Sequence, residues 1–136
     1  MGAFSAIDVG RTGVGFARYW MDTIAHNIAN QHTVRAAGEQ PFRARLVVAQ
    51  SLGGEITPSG SGVAVRALVA DGREPARVHD PANPLADAEG FVTMPVVDLA
   101  GQMSDLIIAN RTYQANLRTI DTGREAYQAA LRLGQR

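Results

Sequence analysis

The clearest pattern of hydrophobic and polar positions lies in the last third of the chain. Alternate steps of four and three residues from Leu99 reach an apolar side chain at eight of ten positions. This spacing is typical of the a and d positions of a heptad repeat, and it predicts a helix over 99–131 that is about 50 Å long. The row of apolar side chains along this helix is too long for a small domain to bury, so a second helix is expected to pack against it. The predicted seam positions on this helix are Leu99, Met103, Leu106, Asn110, Tyr113, Leu117, Ile120, Tyr127 and Leu131.

A weaker heptad pattern in the first 34 residues supplies a candidate partner helix. Gly10, Gly13 and Gly15 each cost about 1 kcal/mol relative to alanine inside a helix, which makes this segment marginal on its own. We therefore expect its helicity to depend on packing against the C-terminal helix or against neighbouring chains. The predicted seam positions are Ile7, Val14, Met21 and Ile28 in one row, with Phe4, Ala17 and Ile24 in the other.

The middle of the chain carries the signals of strands and turns. All six prolines fall between positions 41 and 95, and proline interrupts helices. Apolar residues alternate with polar ones on either side of two glycine-containing turns, at 53–54 and 58–62. The predicted strands are Phe42–Gln50, Val63–Val69, Ala76–His79 and Gly90–Met94.

Together these elements predict an α+β fold. Long N- and C-terminal helices are expected to pair as a coiled coil, with a small β-rich domain inserted between them. The predicted segments are 1–34 for the N-terminal helix, 35–95 for the β-rich domain and 96–136 for the C-terminal helix. About 60 residues provide only a modest core for the middle domain.

Composition excludes several classes of function. The chain of 136 residues has 13 basic and 13 acidic residues, every basic residue is arginine, and cysteine is absent. Schiff-base lysines, thiolate nucleophiles, thiolate zinc sites and disulfides are therefore excluded. Zero net charge argues against a sequence-independent nucleic-acid binder. No apolar run is long enough to predict a membrane span, and the N-terminus lacks the pattern of a cleaved secretory signal.

Candidate metal ligands are sparse. His26 and His32 are six residues apart, so on one helix they would lie on different faces. A second set lies in a proline-punctuated loop, where scattered acids more often form a solvated turn. That set comprises His79, Asp80, Asp87 and Glu89. We expect no metal and no cofactor.

Candidate catalytic motifs are equally weak. The run Gly10–Gly15 (GRTGVG) superficially resembles a phosphate loop, but it lacks the lysine and no strand pattern precedes it. No serine occupies a G-x-S-x-G setting. We therefore expect no enzymatic activity.

Three motifs carry a resemblance to a known family. The run 24–30 (IAHNIAN) followed by Thr33 resembles the asparagine-rich signature near the N-terminus of bacterial flagellar axial proteins, which are rod, hook and hook-associated subunits. The run 80–95 (DPANPLADAEGFVTMP) and the run 110–116 (NRTYQAN) resemble, more particularly, the proximal-rod subunits of that family. The resemblance covers nearly the whole chain. The sequence departs from the family at Gln102, near which an acidic residue is common, and at Val96, where an asparagine is common.

The resemblance implies a structural function. Such subunits assemble helically with copies of themselves and with other rod proteins, transmit motor torque and form the wall of the export channel. They leave the cytoplasm unfolded through the flagellar type III export apparatus without a cleaved signal and reside in the periplasmic part of the basal body. Neither nucleic acid nor a small-molecule substrate is expected as a partner.

The asparagines of the signature, Asn27, Asn30 and Asn116, together with Asn110, carry both donor and acceptor groups. A polar residue at a seam position fixes register, so we assign a register role to Asn110. For Asn27 and Asn30 the alternative is that they face solvent or cap the end of the helix.

Two alternatives to the proximal-rod hypothesis stay open. The chain could be another flagellar rod subunit, or it could be a free-standing soluble binding module built from a coiled coil and a β domain. Tyr19 and Trp20 are adjacent on the N-terminal helix and point about 100° apart, so at least one is expected to meet another chain or stay exposed.

Overall fold

The computed structural model describes residues 3–36, 39–53 and 62–134. The predicted turn residues Gly54 and 58–61, and the side chain of Phe4, lie outside the described part. The composition of two long helices and two small antiparallel sheets confirms the α+β prediction. In chain order the elements are α1 (Ala3–Ala29), β1 (Arg45–Ser51), β2 (Val63–Ala70), β3 (Ala76–His79), β4 (Phe91–Met94) and α2 (Leu99–Gly134).

Side chains cap the facing ends of the two helices. Asp98 begins α2, since its Oδ1 accepts the backbone N–H of Gly101 at 3.0 Å. Asn30 ends α1: its Nδ2 donates to the His26 carbonyl at 2.8 Å, and its Oδ1 accepts the Thr33 hydroxyl at 3.3 Å. The Asp98 carboxylate satisfies a backbone N–H that the start of a helix leaves open, and the Asn30 amide adds a second hydrogen bond to a carbonyl of the last turn of α1 that already accepts the Asn30 backbone N–H.

The helices α1 and α2 pack antiparallel along most of their length. Gly10 lies against Ile120 and Gly13 lies against Asn116, so an early position of α1 meets a late position of α2. At the other end, Asn27 bonds to Gln102. Across the described residues, no helix is long and apolar enough to cross a membrane.

A two-stranded ribbon of β1 and β2 lies along α1 and is attached to it at both ends. Asn27 bonds to the backbone of Arg45 at the start of β1, and Thr12 Oγ1 accepts the N–H of Val63 at 3.0 Å at the start of β2. The fifteen positions from Thr12 to Asn27 span about 22 Å of helix. The six steps from Arg45 to Ser51 in β1 span about 20 Å. The two attachment points are therefore matched in spacing.

The hairpin of β3 and β4 is tied to the chain that leaves α1. Arg35 forms an isolated antiparallel bridge with Thr93 of β4. The neighbouring residue of β4, Val92, pairs with Val78 of β3 and is buried. Gly90, at a φ of 81°, makes the turn into β4 in a conformation that favours glycine. All four predicted strands are present, with β3 at its predicted bounds and the others shifted by one to three residues at their ends.

The loop 80–90 is organised by one carboxylate. Asp87 Oδ1 accepts the N–H of Phe91 at 2.7 Å and of Glu89 at 3.0 Å, and Oδ2 accepts from Arg77 at 2.9 Å. The hydrogen bond from Phe91, followed by those from Glu89 and Arg77, holds the pKa of Asp87 below its ordinary value of 3.8. Arg77 also lies over the Phe91 ring at 4.8 Å.

We expect acidification to loosen this loop before the helices. Because the pKa of Asp87 is lower in the folded state, its stabilisation is complete above the unfolded pKa and is lost as the pH falls through the folded-state value. Hydrogen exchange of the Phe91 and Glu89 amides, measured between pH 6 and pH 3, should show the loss of protection below about pH 4. In an Asp87→Asn variant, which retains an acceptor oxygen but no charge, this pH dependence should disappear. Equal pH dependence in both proteins would contradict the assignment.

Candidate assembly surface

Asn27 joins three elements in the interior of the molecule. Its side chain is fully buried, and its Oδ1 accepts the N–H of Arg45 at 2.9 Å. Its Nδ2 donates to the Arg45 carbonyl and to Gln102 Oε1, each at 2.9 Å. One amide therefore satisfies both backbone groups of a strand residue and a side chain of α2. The alternative in which Asn27 faces solvent or caps the helix is wrong.

The contact between α1 and α2 is built from small and polar residues. On α1, the residues Gly10, Gly13, Ala17, Ile24 and Asn27 are buried. On α2, the buried residues are Gln102, Ala109 and Gly123. A Cβ on Gly13 would lie 2.6 Å from Asn116 Cγ, and a Cβ on Gly10 would lie 2.9 Å from Ile120 Cγ1. The two backbones thus approach more closely than larger residues would allow.

The predicted seam on α2 is corrected by one residue in one of its rows. Leu106, Tyr113 and Ile120, from one predicted row, are half-buried, and Ile120 lies against Gly10 of α1. The other predicted row is displaced by one residue, because the most buried heptad row of α2 consists of buried Gln102, Ala109 and Gly123 together with half-buried Asn116. The predicted residues that lie exposed in the chain are Leu99, Met103, Asn110, Leu117, Tyr127 and Leu131. Their role in contacts between subunits stays a prediction.

On α1 the predicted rows divide in the same way. Ala17 and Ile24 are buried at the contact, whereas Ile7, Val14, Met21 and Ile28 are half-buried beside it. The buried positions 10, 17 and 24 form one heptad row. The buried positions 13 and 27 form a second heptad row, one residue before the predicted positions Val14 and Ile28. The row of larger side chains therefore flanks the seam.

The remaining asparagines differ in role. Asn30 and Thr33 form the cap of α1, as one of the alternatives anticipated. Asn116 is half-buried against Gly13, and its Nδ2 donates to the Thr112 carbonyl at 2.8 Å. Asn110 is exposed and accepts a bond from Gln114 of its own helix, so it does not fix the register between α1 and α2.

The two residues that sequence reasoning missed are Gln102 and Thr12. By sequence, Gln102 is only a departure from the family pattern, yet it is the α2 partner of Asn27. By sequence, Thr12 belongs to a run that superficially resembles a phosphate loop, but in the structure it lies within α1 and bonds to β2. Heptad spacing of small and polar residues on both helices is the signal that could have found this contact.

Trp20, His26 and His79 each pack against a phenylalanine ring, whereas Tyr19 faces solvent. Tyr19 is exposed, and Trp20 is half-buried with its ring 6.0 Å from that of Phe16. His26 packs edge-on against Phe42 at 5.5 Å, and His79 against Phe91 at 5.0 Å. Among the described residues, no group of three or more histidines and carboxylates is placed to hold a metal ion.

The chain exposes far more surface than a compact protein of its size. Its accessible surface is 9260 Å², about 2,400 Å² above the roughly 6,900 Å² expected of a folded monomer of 14.5 kDa. The buried apolar residues of the described part are few and mostly small: Ala17, Ile24, Ala44, Val92 and Ala109. The exposed large apolar residues lie chiefly on α2 and on the ribbon, and include Leu46, Val48, Leu68, Val69, Leu99, Met103, Ile107, Ile108, Leu117, Leu131 and Leu133. Such extensive apolar exposure marks surfaces that bind other proteins.

Comparison with known proteins gives this surface its context. Residues 88–133 match the family model described as flagellar basal body rod FlgEFG protein C-terminal, which places α2 and the preceding hairpin strand in a class of flagellar rod subunits. The chain is 35% identical over 135 residues to the flagellar basal-body rod protein FlgC of Yersinia enterocolitica, covering 99% of this chain and 100% of the relative. It is 34% identical over 137 residues to FlgC of Salmonella typhimurium and 32% identical over 150 residues to FlgC of Bacillus subtilis, with the same coverage. The chain belongs to the flagellar basal-body rod protein FlgC family and is a structural subunit of the rod.

Proposed function

We propose that this chain assembles helically with copies of itself and with other rod subunits to form the wall of the proximal rod. In that position it transmits motor torque and encloses the channel through which later subunits are exported. The observation that carries the proposal is the exposed apolar surface of a chain that belongs to a rod-protein family. A standard interface takes about 800 Å² from each partner, so an excess of this size suits several neighbours.

The antiparallel packing of α1 on α2 supports a coiled-coil terminal domain made from segments 1–34 and 96–136. Its buried rows recur at heptad spacing on both helices. The segment 35–95 is then an inserted β-rich domain, held to α1 through Asn27 and Thr12. Because the ribbon has a small core, it depends on these attachments and on neighbouring subunits for its order.

Export as an unfolded chain, without a cleaved signal, is compatible with the same features. The sequence contains no cysteine, so no disulfide has to be undone before passage. The buried core of the described residues is small, so unfolding for export costs little. Assembly on the periplasmic side would then supply the burial that the single chain lacks.

Deletion of the gene tests the proposal directly. The deletion strain should be non-motile, with basal bodies in electron micrographs arrested before the distal rod is added. Re-expression of the full chain should restore both motility and complete rods. Normal flagella in the deletion strain would contradict the proposal and would favour a free-standing binding module.

A further inference from the structure

We infer that the outer edge of β1 accepts an added β-strand, in the groove between β1 and α2. The donor of this strand is an extended segment with alternating apolar side chains and one basic residue, contributed by a neighbouring rod subunit. The inference rests on the proposed function for the source of the strand, and it specifies how one neighbour attaches. An open strand edge, an apolar floor and an unpaired carboxylate lie together in this groove.

The hydrogen bonds that join β1 to β2 show which backbone groups of β1 face outward. The N–H of Asp71 donates to the Ala44 carbonyl at 2.7 Å, and the N–H of Leu52 donates to the Gly62 carbonyl at 2.9 Å. Bonded and non-bonded pairs alternate along an antiparallel ladder, so the backbone groups of odd-numbered β1 residues point away from β2. The extra residue of the bulge, Arg66, lies in β2, so the alternation along β1 is unbroken. The outward residues are Arg45, Val47, Ala49 and Ser51.

The amide of Asn27 already occupies the first outward position. It accepts from the N–H of Arg45 and donates to the carbonyl of the same residue, each at 2.9 Å, as a residue of a third strand would. At the next outward position, Val47 has no hydrogen bond to any described residue outside the ribbon. The open edge therefore begins where the Asn27 amide ends, and it runs from Val47 to Ser51.

The two edges of the ribbon differ in their protection against pairing. Proteins guard exposed strand edges with bulges, charges or prolines. The outer edge of β2 carries the bulge at Arg66, which is exposed, and the Thr12 hydroxyl holds the N–H of Val63. The stretch 46–50 (LVVAQ) of β1 has no charge, no proline and no bulge residue. The β1 edge is therefore the one that is free to pair.

The groove beside this edge has room for a strand. No Cα of β1 lies within 8 Å of a Cα of α2, and an added strand lies about 4.7–4.9 Å from its partner. Phe16, Trp20 and Ile24 of α1 form an apolar floor, and the cavity measures about 290 Å³. Because α2 bounds the far side, a single extended segment is favoured over the ribbon of a second copy, which would bring its own helices into the groove.

Asp105 gives the groove a preference for a basic donor. It lies on the α2 wall one helical turn beyond Gln102, and it is half-buried. Since Gln102 bonds to Asn27 and α2 runs on in the direction of β1, Asp105 stands beside the start of the open edge. Arg45, which also lines the groove, lies at the end that Asn27 closes. Asp105 has no ion-pair partner among the described residues, so a basic donor residue is attracted and an acidic one repelled.

Binding of a short peptide to the full-length chain tests the open edge. The probe is a fluorescein-labelled peptide of sequence TVRVTVT, and fluorescence polarisation measures its affinity. Val47→Pro removes an outward N–H from the β1 edge, and Leu68→Pro removes the N–H of its paired residue on the β2 edge. Neither N–H joins the two strands, so the variants are matched. The peptide should bind the wild-type and Leu68→Pro proteins alike, and the Val47→Pro protein about tenfold more weakly.

Exchanging charges tests the role of Asp105. The peptide TVEVTVT should bind the wild-type chain about fivefold more weakly than TVRVTVT, and the Asp105→Arg protein should reverse this order. Equal affinity for the two peptides, or an order that Asp105→Arg leaves unchanged, would show that the donor is not basic and would overturn that part of the inference.

Hydrogen exchange of the wild-type chain makes the test independent of whether the proline variants fold. With TVRVTVT bound, the outward amides of Val47, Ala49 and Ser51 should gain protection, because each donates to the added strand. The amides of Leu68 and Ala70 on the opposite edge should not change. Circular dichroism of each variant shows whether it has kept its fold.

Several results would overturn the inference. They are absence of TVRVTVT binding to the wild-type chain, equal binding to two folded proline variants, and protection of the β2 edge instead of the β1 edge. Self-association of the chain that the peptide disrupts would make a second copy the occupant, contrary to the inference. If the peptide does not bind but the wild-type chain restores motility to the deletion strain, the groove is wrong and the proposed function stands. If the peptide binds as expected but motility is not restored, the proposed function fails and the strand-binding groove stands.

Discussion

Replacing Asn27 with alanine should destabilise the chain by about 3 kcal/mol or more, the largest effect expected of any substitution that removes a single polar side chain here. The N–H and carbonyl of Arg45 and the Oε1 of Gln102 all lose their partner at once. Each buried polar group left without a hydrogen bond costs about 1–3 kcal/mol. Urea denaturation followed by circular dichroism measures the loss.

Asn110 provides a matched control for this substitution. It is the same residue type on a helix, but it is exposed and bonded only to Gln114. Asn110→Ala should change the free energy of unfolding by less than about 0.5 kcal/mol. Asn27→Asp separates shape from hydrogen bonding: it keeps the acceptor for Arg45 N–H but presents a carboxylate to two other acceptors. Equal stability of the Asn27→Ala and Asn110→Ala proteins would contradict the three-way junction.

The elements of the fold could be predicted because their signals are local. Proline and glycine mark the limits of the middle segment, and alternating apolar positions place the strands; β3, for example, has its predicted bounds. The α2 helix begins at Leu99, the first residue of the predicted heptad pattern, because Asp98 caps it. Capping and periodicity depend on residues that are close in sequence, so they can be recognised without knowledge of the tertiary packing.

The register between the helices could not be predicted from apolar periodicity. The heptad pattern finds rows of large side chains, but two helices approach most closely where side chains are small. On α2 that row is Gln102, Ala109, Asn116 and Gly123, which gives no hydrophobic signal. The large residues one position further along, such as Met103 and Leu117, are exposed in the chain. In the sequence, an apolar row that contacts another subunit has the same heptad pattern as one that is buried within the chain.

The role of Asn27 was equally out of reach of the sequence. Its side-chain partner Gln102 is 75 positions away, and its other partner is the backbone of Arg45, which any residue type would present. The asparagine-rich signature marks the position as special, but the signature does not say what the amide binds. Only the packing of β1 on α1, and of α1 on α2, reveals it.

Gly13→Ala should destabilise the chain by about 2 kcal/mol, although alanine is the better helix former. The added Cβ would lie 2.6 Å from Asn116 Cγ, too close for any relaxed structure. Asn116 cannot easily turn away, because its Nδ2 is bonded to the Thr112 carbonyl. Either the Asn116 side chain gives up this bond and turns away, or the two helices separate at this point, and both outcomes cost stability. Thermal denaturation of the full chain measures the change.

Gly15→Ala is the matched control, since apart from its chain neighbours and the backbone of its own helix nothing lies within 4 Å of the position that its Cβ would occupy. This substitution should stabilise the chain by about 1 kcal/mol through helix propensity alone. The two variants make the same chemical change two residues apart in one helix, yet the expected effects have opposite signs. In a Gly13→Ala, Asn116→Ala double variant the space is restored, so part of the lost stability should return. Stabilisation by Gly13→Ala itself would show that the glycines of α1 are only weak helix formers, and that the close seam does not hold the helices together.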